Sequence, residues 1–295
     1  MTTVDPDPRA PATAPSLPSG APISVRRVIL AVRDLDRTAA FYESVIGLEP
    51  IERAGHLVRL GAGGRDLLEL RGDRALAPAD PRSAGLFHTA FLLPDRASLG
   101  RFLAHAIAHG VVLEGASDHK VSEALYLSDP EGNGIEVYAD RPQAAWSWSG
   151  GTVAMSTDPI DGEGVLAAGA GEAWTAAPAG TVVGHVHLRV GDTDVAERFW
   201  RDGIGLDLTC RYPGGSFFGS GGYHHQVAAN VWRSRGAGER PAGTTGLVAL
   251  ELDVRPDVLS RTGERLAAAG HLARDVAGGV SVPDPWNTEV RLLAA

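Results

Sequence analysis

A single cysteine, Cys210, occurs in the 295 residues. An internal disulfide is therefore impossible, and a thiolate metal cluster is excluded. No apolar run approaches the roughly 18 residues that a membrane-spanning helix needs. Basic clusters are missing too. The formal net charge is -9, and without a Lys/Arg stripe nucleic acid and anionic membrane are poor partners. Residues 1–22 are rich in Pro, Ala, Thr and Ser but hold no apolar h-region, so they read as a disordered tail rather than a signal peptide. A soluble cytoplasmic protein is the expectation, and a homo-oligomer is compatible with it.

What is present is an internal repeat, and a repeat governs every later reading. One segment runs from Val28 through Asp34, Phe41-Tyr42 and Gly47-Leu48. A second runs from Val186 through Asp192, Phe199-Trp200 and Gly205-Leu206. Asp to Phe is seven residues in both, and Phe to Gly is six in both. Each predicts a short β-branched strand, an Asp that caps the following helix, and a Gly that ends it in a left-handed conformation. The intervening stretches repeat as well. Asp95 and Asp257 each lead to a helix, ending at Gly110 and Gly270, and Asp129-Pro130 and Asp284-Pro285 each precede a last apolar strand. The order is thus A-B-A′-B′, with each unit a strand, a helix and three strands. The modules span about 23–76, 84–142, 181–236 and 245–295. Residues 23–142 form an N-terminal half and 181–295 a C-terminal half. Between them, 143–180 is rich in Gly, Ala and Ser but carries Trp146, Trp148 and Trp174, so part of it is expected to pack back on a module. Gly61-Ala-Gly-Gly64 lacks the Lys and helix start of a phosphate loop and reads as a hairpin turn.

The strand–Asp–helix–Phe-Tyr–Gly-Leu pattern and the turn Asp129-Pro-Glu-Gly-Asn-Gly-Ile-Glu136 resemble the vicinal-oxygen-chelate superfamily of glyoxalases, bleomycin resistance proteins and extradiol dioxygenases. Three stretches, 115–126, 135–142 and 221–225, resemble its two-domain catechol 2,3-dioxygenase-like branch. The resemblance implies an α+β fold of four βαβββ modules forming cup-shaped mixed sheets. It also implies metal ligands seven residues before the capping Asp on a first strand, and on a module's last strand.

Checked module by module, that rule gives Arg27, His88 and His185 before Asp34, Asp95 and Asp192, and no His in module 4. Glu136 lies seven after Asp129, while Arg291 takes the matching place in module 4. His88, Glu136 and His185 therefore make two imidazoles and a carboxylate. That set suits one divalent metal, Fe(II) by preference, with Mn, Zn or Ni as alternatives. It requires modules 2 and 3 to share a cup, with modules 1 and 4 in a second, metal-free one; the other pairing, 3 with 4, offers His185 and poor candidates. Glu69 then reads as a structural carboxylate. His224 and His225 are candidates for proton transfer. Tyr223, Phe217, Trp232, His187 and Asn230 are candidates for substrate binding, with Asn230 at the fourth-ligand position. His119 reads as more exposed than functional.

The function implied is metal-dependent extradiol cleavage of a catechol-like aromatic by dioxygen. The alternatives are a glyoxalase-type isomerase or lyase, and a non-catalytic protein that binds a small molecule in the same cup.

Overall fold

In a computed structural model, residues 20–295 are described. The tail expected over 1–22 lies outside them except for its last three residues, where the Pro22 carbonyl accepts the Arg255 N–H at 2.9 Å.

Four modules follow one another. The first is β1 (Ile23–Val32), α1 (Leu35–Phe41), β2 (Glu49–Ala54), β3 (Leu57–Ala62) and β4 (Arg65–Gly72). The second is β5 (Gly85–Leu93), α2 (Arg96–Ala108), β6 (Gly115–Asp118), β7 (Ser122–Ser128) and β8 (Gly134–Asp140). A connector holds β9 (Trp148–Ser149), β10 (Thr152–Val153) and α3 (Gly162–Ala168). The third module is β11 (Val182–Arg189), α4 (Thr193–Glu197), β12 (Asp207–Tyr212), β13 (Gly215–Gly219) and β14 (Val227–Asn230). The fourth is β15 (Gly246–Val254), α5 (Pro256–Ala268), β16 (Arg274–Val276), β17 (Gly279–Pro283) and β18 (Glu289–Ala294).

The repeated Asp residues act as the spacing predicts. Asp34, Asp95 and Asp192 accept backbone N–H groups from Arg37, Ser98 and Val195, at 3.1, 2.7 and 3.1 Å. These bonds satisfy donors left open at each helix start. Module 4 departs from the pattern: Arg255 holds the cap position, Pro256 begins the helix, and Asp257 pairs with Arg255 instead. In modules 1 and 3 the helix widens into a π-turn, over Tyr42–Ile46 and Arg198–Ile204. The turns end at Gly47 and Gly205, with φ of 80° and 96°. That widening carries Tyr42 and Trp200 fully into the core. Gly63 and Gly64, both at positive φ, turn β3 into β4 as a hairpin.

The modules do not pair in chain order. One eight-stranded sheet runs β12-β13-β14-β11-β5-β8-β7-β6, and the other β16-β17-β18-β15-β1-β4-β3-β2. The antiparallel seams β5–β11 and β1–β15 thus join module 2 to module 3 and module 1 to module 4. One apolar core extends between the two sheets and their helices.

The connector is packed against modules 2 and 3. The Trp146 indole is buried against His224 and Tyr223, with ring centroids at 5.0 and 5.7 Å, and its N–H donates to the Val121 and Arg141 carbonyls. Trp174 meets Phe102 edge-on at 5.4 Å, whereas Trp148 stays exposed. Helix α3 lies so close to α2 that a Cβ on Gly100 would stand 2.1 Å from the Val165 carbonyl. Only glycine fits there.

Candidate metal centre and cavity

Register decides which side chains meet. On β5, His88 pairs with Gly134 of β8 and Ala90 pairs with Glu136. Across the seam, Ala90 faces His185 of β11, and His88 faces His187. Paired residues on neighbouring strands project to the same face. Glu136, Ala90 and His185 therefore form one row, with His88 one pleat away on the same face. The methyl of Ala90 leaves the middle of that row open, and the three longer side chains converge over it.

One ligand atom from each of His88, Glu136 and His185 lies within 4.8 Å of the others, and all three residues are buried. Glu136 Oε2 is 3.0 Å from His88 Nε2 and 3.2 Å from His185 Nε2. Among the described residues no other His, Cys, Asp and Glu set converges in this way. Burial opposes ionisation of Glu136, yet the imidazoles of His185 and His88 hold its carboxyl well below the usual range. Burial pushes His185 down to about 4 and His187 and His225 well below their ordinary value. An ionised carboxylate beside an imidazole that burial keeps neutral, as at His185, is the protonation state that a divalent metal requires.

The donor set passes a further test of fit. His88 Nε2 is buried without a hydrogen-bond partner, although a carboxylate oxygen lies at 3.0 Å. That oxygen does not complete a hydrogen bond to it, so the nitrogen stands unpaired beside the other two groups. A buried polar atom left unpaired is costly, and an ion among the three groups would remove the cost.

The centre forms one wall of a cavity of about 280 Å³. Phe87, Phe217, Tyr212 and Trp232 supply aromatic walls, and Met155, Ser156 and Thr157 of the connector cross its rim. The connector is tied down there: His119 Nδ1–H donates to the Ser156 carbonyl at 2.6 Å, which leaves Nε2 to accept the Tyr126 hydroxyl at 2.6 Å. Tyr126 pairs in register with Glu136 and lines the same cavity.

Of the residues read from sequence for substrate or proton transfer, His187, Phe217, His225 and Trp232 line the cavity. Tyr223, His224 and Asn230 are buried behind its wall. Strand β14 begins only at Val227, so His224 and His225 sit on the loop before it. His224 Nε2–H donates to Asp140 at 2.9 Å, and its Nδ1 lies 2.7 Å from Nδ1 of His225. Tyr223 shares a hydrogen bond with Tyr138 at 2.7 Å. Asn230 donates to His187 Nε2 at 2.9 Å and accepts the Trp232 N–H at 3.2 Å, so it fixes two wall residues instead of meeting the cavity.

The register also corrects the fourth-ligand position. Glu136 pairs with Ala90, two residues beyond His88; the residue paired with His187, two beyond His185, is Ala228. Alanine cannot ligate, so module 3 gives the centre only His185. His119, expected to be exposed, is half-buried and links the connector to Tyr126. Tyr126, Phe87, Tyr212 and Met155 were not legible as site residues. Tyr126 could have been found only by fixing the length of the β7–β8 turn.

In the second sheet the corresponding places are Arg27 for His88, Glu69 for Glu136, Ala249 for His185, Glu251 for His187 and Arg291 for Ala228. The Arg27 guanidinium lies 2.8 Å from Glu251 and 3.5 Å from Glu69, and it also pairs with Asp66. A fixed cation of the protein occupies that cup.

Residues 24–137 match the Glyoxalase/Bleomycin resistance protein/Dioxygenase superfamily. The chain is 38% identical over 262 residues to the catechol-2,3-dioxygenase of Bacillus subtilis (strain 168), covering 87% of this chain and 92% of that protein. Glyoxalase I from Zea mays shares the fold with a TM-score of 0.57 at 16% identity, over 94% of each chain. The cppA protein of Streptococcus pneumoniae does so at 0.52 and 12% identity, over 92% of this chain and 99% of its own. By its repeat, its two mixed sheets and a relative that matches along most of its length, the chain belongs to the glyoxalase/bleomycin resistance protein/dioxygenase superfamily.

Proposed function

We propose that the protein is a metal-dependent extradiol-type dioxygenase that opens a catechol-like ring at the cup shared by modules 2 and 3. The observation that carries this reading is a three-residue ligand set in an aromatic-walled cavity, with Ala228 where a fourth ligand would stand. Three ligands leave positions open for two reactants, which ring cleavage by dioxygen needs. Isomerisation in the same cup uses a fourth protein ligand, and Ala228 argues against it. The similarity to a protein named for catechol cleavage supports the same direction.

His88, Glu136 and His185 would hold the metal, Fe(II) by preference. When bound, it supplies Lewis acidity toward the two vicinal oxygens of the substrate and open sites for that substrate and dioxygen. The remaining work falls to side chains. His224 donates through Nε2 to Asp140, so its Nδ1 is an acceptor and receives the proton on Nδ1 of His225. Nε2 of His225 is then a lone-pair nitrogen on a residue of the cavity wall, suited to take a hydroxyl proton from the substrate. Asp140 and His224 hold that tautomer. Tyr126, bonded to His119, borders Glu136 and orients the ring. Phe87, Phe217 and the connector keep bulk water from the reacting atoms.

The test is an aerobic assay with ferrous ion and catechol. A yellow ring-cleavage product is expected, and it should vanish in His88→Ala and His185→Ala together with bound metal. Metal retained without colour would favour another reaction in the cup, and failure to bind any metal would favour simple small-molecule binding.

A further inference from the structure

We infer that the cavity selects a catechol bearing an apolar, uncharged substituent, read by Trp232 and Tyr212; the inference rests on the ring-cleavage reading above. The cavity is longer than its metal end. His187 packs edge-on against His88 with ring centroids 4.9 Å apart, and Trp232 packs against His187 at 5.3 Å. Trp232 is thus one ring removed from the ligand set. A dihydroxy ring placed at the triad borders His187 and Phe87, and whatever extends from that ring meets the indole.

The outer end is built to receive something apolar. Phe87 and Trp232 stand at 5.5 Å, edge to face, and Tyr212 and Met155 complete the mouth. Trp232 and Tyr212 are 46% and 44% exposed, whereas Trp200 and Tyr42 in the core are fully covered. The indole is not loose. Its Nε1–H donates to the Pro213 carbonyl at 2.9 Å, and its backbone N–H is held by Asn230. A large aromatic face fixed at a cavity mouth and left half in water gains most when a ligand covers it.

Charge gives the second, independent argument. Among the described residues lining the cavity there is no lysine and no arginine. The one carboxylate that lines it, Glu136, is committed to the centre. A carboxylate on the substituent, away from the metal end, would therefore enter a low-dielectric space with no lysine or arginine to pair with. Hydroxyls of Ser117, Ser122, Ser156 and Thr157 can solvate an ether or hydroxyl but cannot balance a full charge.

The experiment compares kcat/KM of the Fe(II)-loaded protein for catechol, 4-ethylcatechol and 3-phenylcatechol with that for 3,4-dihydroxybenzoate and 3,4-dihydroxyphenylacetate. The alkyl or phenyl compounds should exceed both carboxylates by about 100-fold or more, the scale of burying an unpaired charge. Trp232→Ala and Tyr212→Ala should each shrink the advantage of the substituted catechols over plain catechol. Thr157→Arg, which puts a cation at the rim, should raise kcat/KM for the carboxylates by tenfold or more, on the order of one charge-assisted pair. Carboxylates cleaved as well as the neutral compounds would overturn the inference, as would substituted catechols no better than catechol. If no compound is cleaved, the ring-cleavage reading falls, and anaerobic binding followed by tryptophan fluorescence decides this one. Quenching at lower concentration by the alkyl catechol than by the carboxylates supports it, and the reverse order sinks it.

Discussion

Ala90 shows how much a residue with no chemistry can decide. It stands between Glu136 and His185 in one row of the sheet, fully buried, and its methyl leaves the centre open. A leucine there would project into the point of convergence. The Ala90→Leu protein should fold, with overpacking costing about 1–3 kcal/mol, but bind no metal. Ala90→Gly should keep the metal. Metal content per chain and thermal melting read both, and stoichiometric metal in the leucine variant would refute the convergence described. Asp284 gives a second residue-scale test, remote from the cup. Its carboxylate accepts the Trp286 and Thr288 N–H groups at 2.9 and 2.7 Å, yet burial wins and raises its pKa to about 6. The folded state then binds a proton more tightly than the unfolded chain between the ordinary Asp value and about 6. Stability from this group is present at low pH and is lost as pH rises through that window. Asp284→Asn keeps the accepting oxygen without the charge. It should raise the melting temperature at pH 8 relative to the parent, by up to about 2–3 kcal/mol of stability at ~1.4 kcal/mol per pKa unit. It should add little at pH 4. Equal gains at both pH values would contradict the assignment.

Among the elements, those with repeated punctuation were legible and those without it were not. Asp34, Asp95 and Asp192 mark helix starts that the structure reproduces, because a cap is a local bond between neighbours in sequence. The π-turns at Tyr42 and Arg198 were not foreseen, since they arise from seating a large ring in the core. Strand β14 begins only at Val227, after a loop that the Gln226 side chain closes by accepting the Ser220 N–H. The central strands of the second cup carry another prediction. There Arg27 stands where His88 stands in the first, between Glu69 and Glu251, both nearly inaccessible. Removing it takes away the guanidinium that both buried carboxylates share, although Glu69 keeps Arg59 and Arg71 and Glu251 keeps Arg291. Breaking a fully buried pair costs about 3–5 kcal/mol, and the remaining arginines with partial solvent access to Arg27 lower the expectation to roughly 1–2 kcal/mol. Urea unfolding of Arg27→Ala should show that loss as a lower midpoint. Arg27→Lys, which keeps the charge, should lose less than Arg27→Ala. A lysine variant no better than the alanine one would mean that the guanidinium acts through packing instead of charge.

At the scale of the whole molecule, the pairing of modules was legible from ligand arithmetic, although no local propensity encodes it. His88 and Glu136 lie in one half of the chain and His185 in the other, so the three can meet only if module 2 adjoins module 3. The β5–β11 seam makes that junction. The strap over the cavity was not legible. Met155 and Thr157 sit in a stretch of small and polar residues, pinned by the His119 bond to Ser156 and by the backbone bridge between Asp118 and Asp158. This architecture has a consequence for dissection. Each half contributes one edge to both seams, so a half alone exposes β5 and β1, or β11 and β15, as unpaired central strands with apolar faces. Exposed edges of that kind pair with whatever is available. Residues 20–142 and 143–295 expressed separately should therefore aggregate or self-associate, and neither should bind metal with the full ligand set. Produced together, they should assemble one to one and recover one metal per pair, because the connector then packs on module 2 from the second fragment. Size-exclusion chromatography with metal analysis distinguishes the cases. A first fragment that holds one metal by itself would show that Glu136 and His88 do not depend on His185, and the shared cup would have to be abandoned.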